Sequence, residues 1–280
     1  MKEIKAEEIV MAVKKLCMDA NYNISRDIKE ALKKAHEEED SLLAKNIIGK
    51  ILKNSEIAEN ESVPMCQDTG MACVFIEIGQ DVHVTGGYIE EAINEGVALG
   101  YKEGFLRKSV VGDPINRINT KENTPAVINY QIVKGDKLKI TLAPKGFGSE
   151  NMSQIKMLKP SEGIEGVKKF VIETVKQAGS NPCPPIVVGI GIGGTFDKVA
   201  LLAKKALLRP IDINNSDTYY AELEKELLDK INETGIGPQG FGGRTTALAV
   251  NIETYPTHIA GLPVAVNINC HSTRHVSVEL

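Results

Sequence analysis

Apolar residues change their period near residue 60, and that change governs what the chain can fold into. Before it they recur at helical spacing: Ile9, Val10, Val13 and Leu16 after an acidic start, then Ile28, Leu32 and Ala35 behind Ser25 as N-cap. A third stripe, Leu42, Leu43, Ile47, Ile48, Ile51 and Leu52, follows Asp40-Ser41 and predicts a helix buried along that side. Beyond Cys66 the apolar residues gather into short runs rich in Val and Ile, over 72–78, 127–133, 138–142, 186–192, 245–252 and 264–268. These read as strands, and helical stretches fall between them near 87–103, 161–176, 198–208 and 217–232. The pair 127–133 and 138–142, joined at Gly135-Asp136, reads as a hairpin. The expected fold class is therefore α/β: mixed sheet or sheets flanked by helices, with an N-terminal helical segment, in one body or two lobes. No internal repeat or clear linker interrupts it. The expectation is a single domain over 1–280, with helices to about 60 and an α/β body from about 61.

Composition narrows the function. A net charge of −4 gives no basic face for nucleic acid, and no apolar run approaches the roughly 18 residues of a membrane span. The first residues, Met1 to Glu8, alternate in charge and lack a signal-peptide core, so a cytoplasmic, reducing setting is expected. Trp is absent and aromatic residues make up 5%, which suits a site for small charged molecules better than a stacking platform. Five widely spaced cysteines fit thiols or metal ligands better than a disulfide framework.

Three of those cysteines sit in turns: Cys66 in Pro64-Met65-Cys66-Gln67-Asp68-Thr69-Gly70, Cys183 in Asn181-Pro182-Cys183-Pro184-Pro185, and Cys270 in Asn269-Cys270-His271. Soft thiolates suit iron–sulfur clusters or zinc, but no C-x-x-C pair is present, and three unrelated cysteines would look the same by spacing alone. Cys17 and Cys73 fall on a helix stripe and inside a strand, and read as core. Asp68, beside Cys66, is either a turn residue or a carboxylate able to orient or act as a base. His258, before Gly261-Leu262-Pro263, is a candidate for carboxylate binding or proton transfer, or a structural histidine; His271, Arg274 and His275 flank Cys270.

Two glycine runs add to these. Lys145-Gly146-Phe147-Gly148-Ser149-Glu150-Asn151 follows a strand and is either a tight turn or a backbone cradle for an anion. Gly189-Ile190-Gly191-Ile192-Gly193-Gly194 matches G-x-G-x-x-G between a strand and a helix, with Asp212 about 20 residues on, so an NAD-dependent oxidoreductase stays open. Against it, the motif comes late in the chain and leaves the turn cysteines without a role. Gly237-Pro238-Gln239-Gly240-Phe241-Gly242-Gly243 fits no nucleotide motif.

Taken in order from about residue 60 to the end, these segments resemble the iron–sulfur (class I) fumarate hydratases, in particular the α subunit of the two-subunit form. The L-tartrate dehydratase α subunit is a close relative of that family. The resemblance implies a hydro-lyase of the tricarboxylic acid cycle that interconverts fumarate and L-malate, with L-tartrate as the alternative substrate. It implies a [4Fe–4S] cluster on Cys66, Cys183 and Cys270, with an open iron for the substrate. It places Gln67, Arg107, Gly148 and His258 as substrate-binding residues and Asp68 and His258 as catalytic ones. It also implies a β subunit in an α2β2 heterotetramer. Cys270 lies ten residues before the last residue, so shielding of that ligand by another chain is expected.

Overall fold

The period change marks the passage from helices to sheets, but the order of strands in those sheets departs from their order in the chain. The computed structural model describes residues 2–280. The first part runs β1 (Lys2–Lys5), α1 (Ala6–Tyr22), α2 (Arg26–Glu38), α3 (Leu42–Glu61), β2 (Met71–Gly79), β3 (Val82–Thr85), α4 (Ile89–Glu103), β4 (Val127–Val133) and β5 (Leu138–Lys145). Then follow α5 (Phe147–Glu150), β6 (Gln154–Leu158), α6 (Gly163–Ala178), β7 (Ile186–Gly193), α7 (Phe196–Ala206), α8 (Thr218–Asn232), β8 (Ala247–Tyr255), β9 (Leu262–Asn269) and β10 (Val276–Glu279). The architecture is the expected mixed α/β class. No helix among the described residues is long and apolar enough to cross a membrane.

Two compact units divide these elements. One comprises 1–25, 54–147 and 274–280, the other 26–53 and 148–273. The N-terminal helices are therefore shared between them, α1 in the first and α2 in the second.

In the first unit the sheet order is β10-β5-β2-β4. The expected hairpin does not form: β2 lies between β4 and β5, parallel to the former and antiparallel to the latter. The reason is burial. β2 (Met71–Gly79) is apolar on both faces and buried along its middle, whereas β4 has Val127, Tyr130 and Ile132 exposed and suits an edge. The turn that looked like a hairpin passes over the end of β2 instead. Gly79 N–H donates to Lys137 O at 2.8 Å, Gln80 N–H to Val133 O at 2.9 Å and Asp81 N–H to Gly135 O at 3.0 Å. Helices α1 and α4 cover one face, and Cys17, Val13, Val97 and Tyr101 are fully buried there. Cys17 and Cys73 are core residues, as their positions predict.

The second unit has the order β6-β9-β7-β8. Central β7 is buried over its whole length. Its alternate residues Ile186, Val188, Ile190 and Ile192 join the core with Val171 and Val175 of α6 and Leu227 and Ile231 of α8. The opposite face carries Gly189 and Gly191, where α7 presses in. A Cβ on Gly189 would lie 2.2 Å from Ala203 O, and one on Gly191 would lie 2.2 Å from Val199 O. The G-x-G spacing is thus the two-residue period of a strand whose second face must be bare for a helix to approach. That explains the run without a dinucleotide.

Two further sequence expectations differ in detail. Strands β1, β3, β6 and β10 are only four or five residues long, too short for alternation to single them out. Leu42 and Leu43 are exposed, and the buried residues of α3 are Ala44, Ile48, Ser55 and Ala58. The stripe of α3 lies on a narrower arc than its leucines suggest.

Candidate active site

The Cys66–Gly70 turn of the first unit is held from behind by side chains. Tyr101, fully buried at the end of α4, donates its hydroxyl to Thr69 O at 2.7 Å and Gly70 O at 3.0 Å. Asn123, also buried, donates to Gly70 O at 3.2 Å, and Arg274 Nη2 donates to Asp68 O. Three successive carbonyls are thus turned inward, which leaves Cys66 partly exposed and Gln67 exposed on the outer side. Burial pushes the Tyr101 hydroxyl well above its usual pKa, keeping it a neutral donor.

Asp68 is fixed at every polar group. Its N–H points at Cys66 Sγ at 3.4 Å, its Oδ1 accepts from Gly70 N–H at 3.0 Å, and its Oδ2 accepts from Phe147 N–H at 2.8 Å. The first carboxylate contact is an Asx turn, and the second ties this loop to the Lys145–Phe147 segment. Such a carboxylate has one orientation and still has lone pairs with which to orient a neighbour. Arg107 is held by its backbone: its N–H donates to Thr69 Oγ1 at 2.9 Å, and Thr69 Oγ1 donates to Arg107 O at 3.1 Å. Its guanidinium is exposed. Gln67, Asp68 and Arg107 are therefore brought together around one loop, with Cys66.

In the second unit, Cys183 and Cys270 lie at the same end of the sheet, before β7 and after β9, where Val187 faces Asn269. His271 N–H donates to Cys183 O at 3.2 Å, joining the two loops directly. Gln239 Nε2 donates to Pro184 O at 2.8 Å and meets His271 Nδ1 at 3.1 Å, so the Gly237–Gly243 loop braces both. Cys183 has φ of 55°, a left-handed conformation that costs a non-glycine residue about 1–2 kcal/mol. Its N–H bonds Ser180 O at 3.0 Å, and its side chain is exposed. Gly148 joins this end: it is exposed, and a Cβ there would lie 3.6 Å from Asn181 O. Asn267 secures the same segment by donating to Glu150 Oε2 at 2.7 Å and Ser153 Oγ at 2.9 Å.

His258 lies elsewhere. It follows β8, whose Tyr255 pairs with Gly193 at the opposite end of β7 from Cys183. The eight residues of β7 separate the two ends by more than about 20 Å. Ala260 N–H donates to His258 Nδ1 at 3.2 Å, so the neutral ring carries its proton on Nε2, and the residue is exposed. Thr257 Oγ1 donates to Gly194 O at 3.0 Å and anchors this loop to the end of the glycine run.

All five cysteines lie outside disulfides; Cys17 and Cys73 are buried, while Cys66, Cys183 and Cys270 reach the surface. Among the described residues no group of three or more His, Cys, Asp or Glu side chains is placed to hold a metal ion. The second unit supplies two adjoining loops that carry Cys183 and Cys270. Sequence reasoning gave no role to Tyr101, Asn123, Gln239 or Arg274. Tyr101 looks like one more apolar position on a helix, and a lone Asn in a loop carries no signal. Gln239 stands in a conspicuous glycine run, the one available hint.

Comparison with known proteins gives this arrangement a context. A family described as fumarate hydratase (Fumerase) matches residues 10–279. The chain is 48% identical over 277 residues to a putative L(+)-tartrate dehydratase subunit alpha of Methanocaldococcus jannaschii, covering 97% of this chain and 96% of that protein. It is 33% identical over 258 residues to an L(+)-tartrate dehydratase subunit alpha of Escherichia coli, covering 91% and 84%.

Proposed function

The chain belongs to the fumarate hydratase (Fumerase) family of hydro-lyases, and from that premise we propose that it is the cluster-bearing α subunit of a two-subunit enzyme interconverting L-malate and fumarate. One observation carries the reading. The Cys66–Asp68 and Cys183 turns are pinned from the protein side by backbone and buried donors, while Gln67, Arg107, Gly148 and the Cys183 thiol face outward. That is what a site completed by a second chain requires. A β subunit, in an α2β2 assembly within the cytoplasm, is the proposed partner.

Cys66, Cys183 and Cys270 are the proposed ligands of a [4Fe–4S] cluster. The donor set fits: three surface-reaching thiols on turns, two of them on loops joined through the Cys183 carbonyl. When bound, a cluster with one iron lacking a thiolate supplies a Lewis acid for the departing hydroxyl. The chain's own residues do the rest. Arg107 and the Gly148 N–H neutralise the dicarboxylate, and Gln67 hydrogen-bonds beside it. Dehydration takes the proton from C3 to a base, moves that C–H electron pair into the C2=C3 bond, and releases hydroxide from C2. Asp68, with its carboxylate already fixed by Gly70 and Phe147, orients that base, which the β subunit contributes. His258 stands too far along β7 to serve the Cys183 end of its own chain, so its carboxylate-binding role falls to the site of a second copy.

L-tartrate is the second reading, favoured by the names of the relatives above. It carries one more hydroxyl, and a site built to hydrogen-bond that group would reject malate by a large factor. Anaerobic assay of this chain with its β partner on L-malate and on L-tartrate separates the two. Activity on malate at least tenfold above tartrate is expected, and the reverse ratio would assign tartrate. No activity on either would reject the hydroxydicarboxylate reading.

A further inference from the structure

Arg274 is 4% exposed, four residues after Cys270 in sequence and part of the first unit. Its Nη2 donates to the carbonyl of Asp68, whose amide points at Cys66 Sγ. Its Nε and Nη1 are buried with no hydrogen-bond partner. A guanidinium stays charged at any working pH, and leaving two of its donor nitrogens unmet away from water is strongly unfavourable. One bond to a neutral carbonyl does not offset that. The Tyr101 hydroxyl, which also feels this charge, is a donor to Thr69 and Gly70 and offers no anion.

We infer that Arg274 is a positioning residue whose buried charge, to which the Asp68 carboxylate held by Gly70 and Phe147 makes no hydrogen bond, is balanced more fully when the Cys66 turn carries its negative group, the thiolate and the cluster it holds. It would then hold Asp68 and Cys66 in the ligating geometry and stabilise the loaded state over the empty one. This rests on the cluster reading above. A merely structural arginine makes the opposite prediction, because its loss would weaken the empty protein first.

The test uses the full chain with its β partner, reconstituted anaerobically as wild type, R274M and R274K. Iron release to a chelator is followed by visible absorbance, and urea unfolding is measured on the metal-free chain. Expected are iron loss about tenfold faster from R274M, as for other groups that orient metal ligands, and recovery to within about threefold in R274K, which restores the charge. Metal-free R274M should unfold at a urea midpoint no lower than wild type, since an apolar side chain replaces an unsatisfied charge. Unchanged iron release from R274M overturns the inference, whatever its stability. If R274M is both less stable and leakier, R274K decides: equal leakage from both variants overturns it, and recovery supports it. A wild-type complex that takes up no cluster removes the cluster reading and this inference together, whereas a loaded wild type with an equally retentive R274M removes this inference alone.

Discussion

The Cys66 and Cys183 turns are stiffened by different means. The Cys66 turn is held by buried side chains from elsewhere in its unit: Tyr101 from α4, Asn123 from a long loop and Arg274 from the segment before β10. The Cys183 turn is held chiefly by backbone bonds to Ser180 and His271 and by one bridging amide, Gln239, and it keeps a left-handed cysteine. The first turn holds the Asp68 carboxylate in one orientation, through Gly70 and Phe147 N–H, on a loop whose carbonyls are already engaged from behind. The second presents the Cys183 side chain at the surface, with its Sγ directed at Asn181 O at 3.9 Å. One turn is positioned by buried side chains, and the other is a braced loop that carries an exposed cysteine.

Removing the thiols tests whether both turns serve one group. Cys66→Ser and Cys183→Ser should each abolish cluster uptake and lower the activity of the reconstituted complex by more than about a hundredfold, beyond the loss seen for mere outer partners. Iron and sulfide analysis checks it; normal iron content in either variant would separate that turn from the cluster. Next in size is a mixing experiment on His258. H258A and C183S should each be inactive with the β subunit, and co-reconstitution of the two should restore roughly a quarter of wild-type sites if symmetric copies share residues. No recovery on mixing would return His258 to a structural role.

Smaller effects distinguish the two kinds of bracing. Tyr101→Phe removes a buried donor from two carbonyls and should lower stability by about 1–3 kcal/mol, whereas Gln239→Ala, in a partly exposed loop, should cost about 0.5–1.5 kcal/mol. Urea unfolding measures both, and equal values would erase the contrast. The Tyr101 effect also has a pH signature. Its folded pKa is raised by desolvation, as is that of Cys17, so the unfolded chain loses these protons first. Their contribution is complete below about pH 8 and falls above that by about 1.4 kcal/mol per pH unit for each group once its unfolded form ionises, Cys17 first and Tyr101 near pH 10. Tyr101→Phe should flatten that decline above about pH 10.

Much of the fold was legible because period survives in sequence. Ile186 to Ile192 read as a buried strand, and the helical stripes of α1 and α2 fell where burial later put them. The hairpin misread shows the limit: a Gly-Asp turn between two strand-like runs specifies a reversal of direction, and it cannot say that β2 occupies the space between them. The glycine run shows another. Its spacing is common to a phosphate loop and to a strand flattened for a helix, and only the approach of α7 to Gly189 and Gly191 tells them apart.

For the site, the sequence alone determined which residues have the chemistry: thiols in turns, Asp68 beside Cys66, and the glycine loops in family order. Residue type and local turn preference are properties of a few neighbouring positions, so they can be read in one dimension. Tertiary structure alone decided which of them meet. It joined Cys183 to the His271 loop, sent His258 to the far end of β7, and placed the charge of Arg274 behind Asp68. Those outcomes depend on strand order and on burial, which are set by the competition of all apolar segments for one core in each unit, and no local pattern encodes that competition.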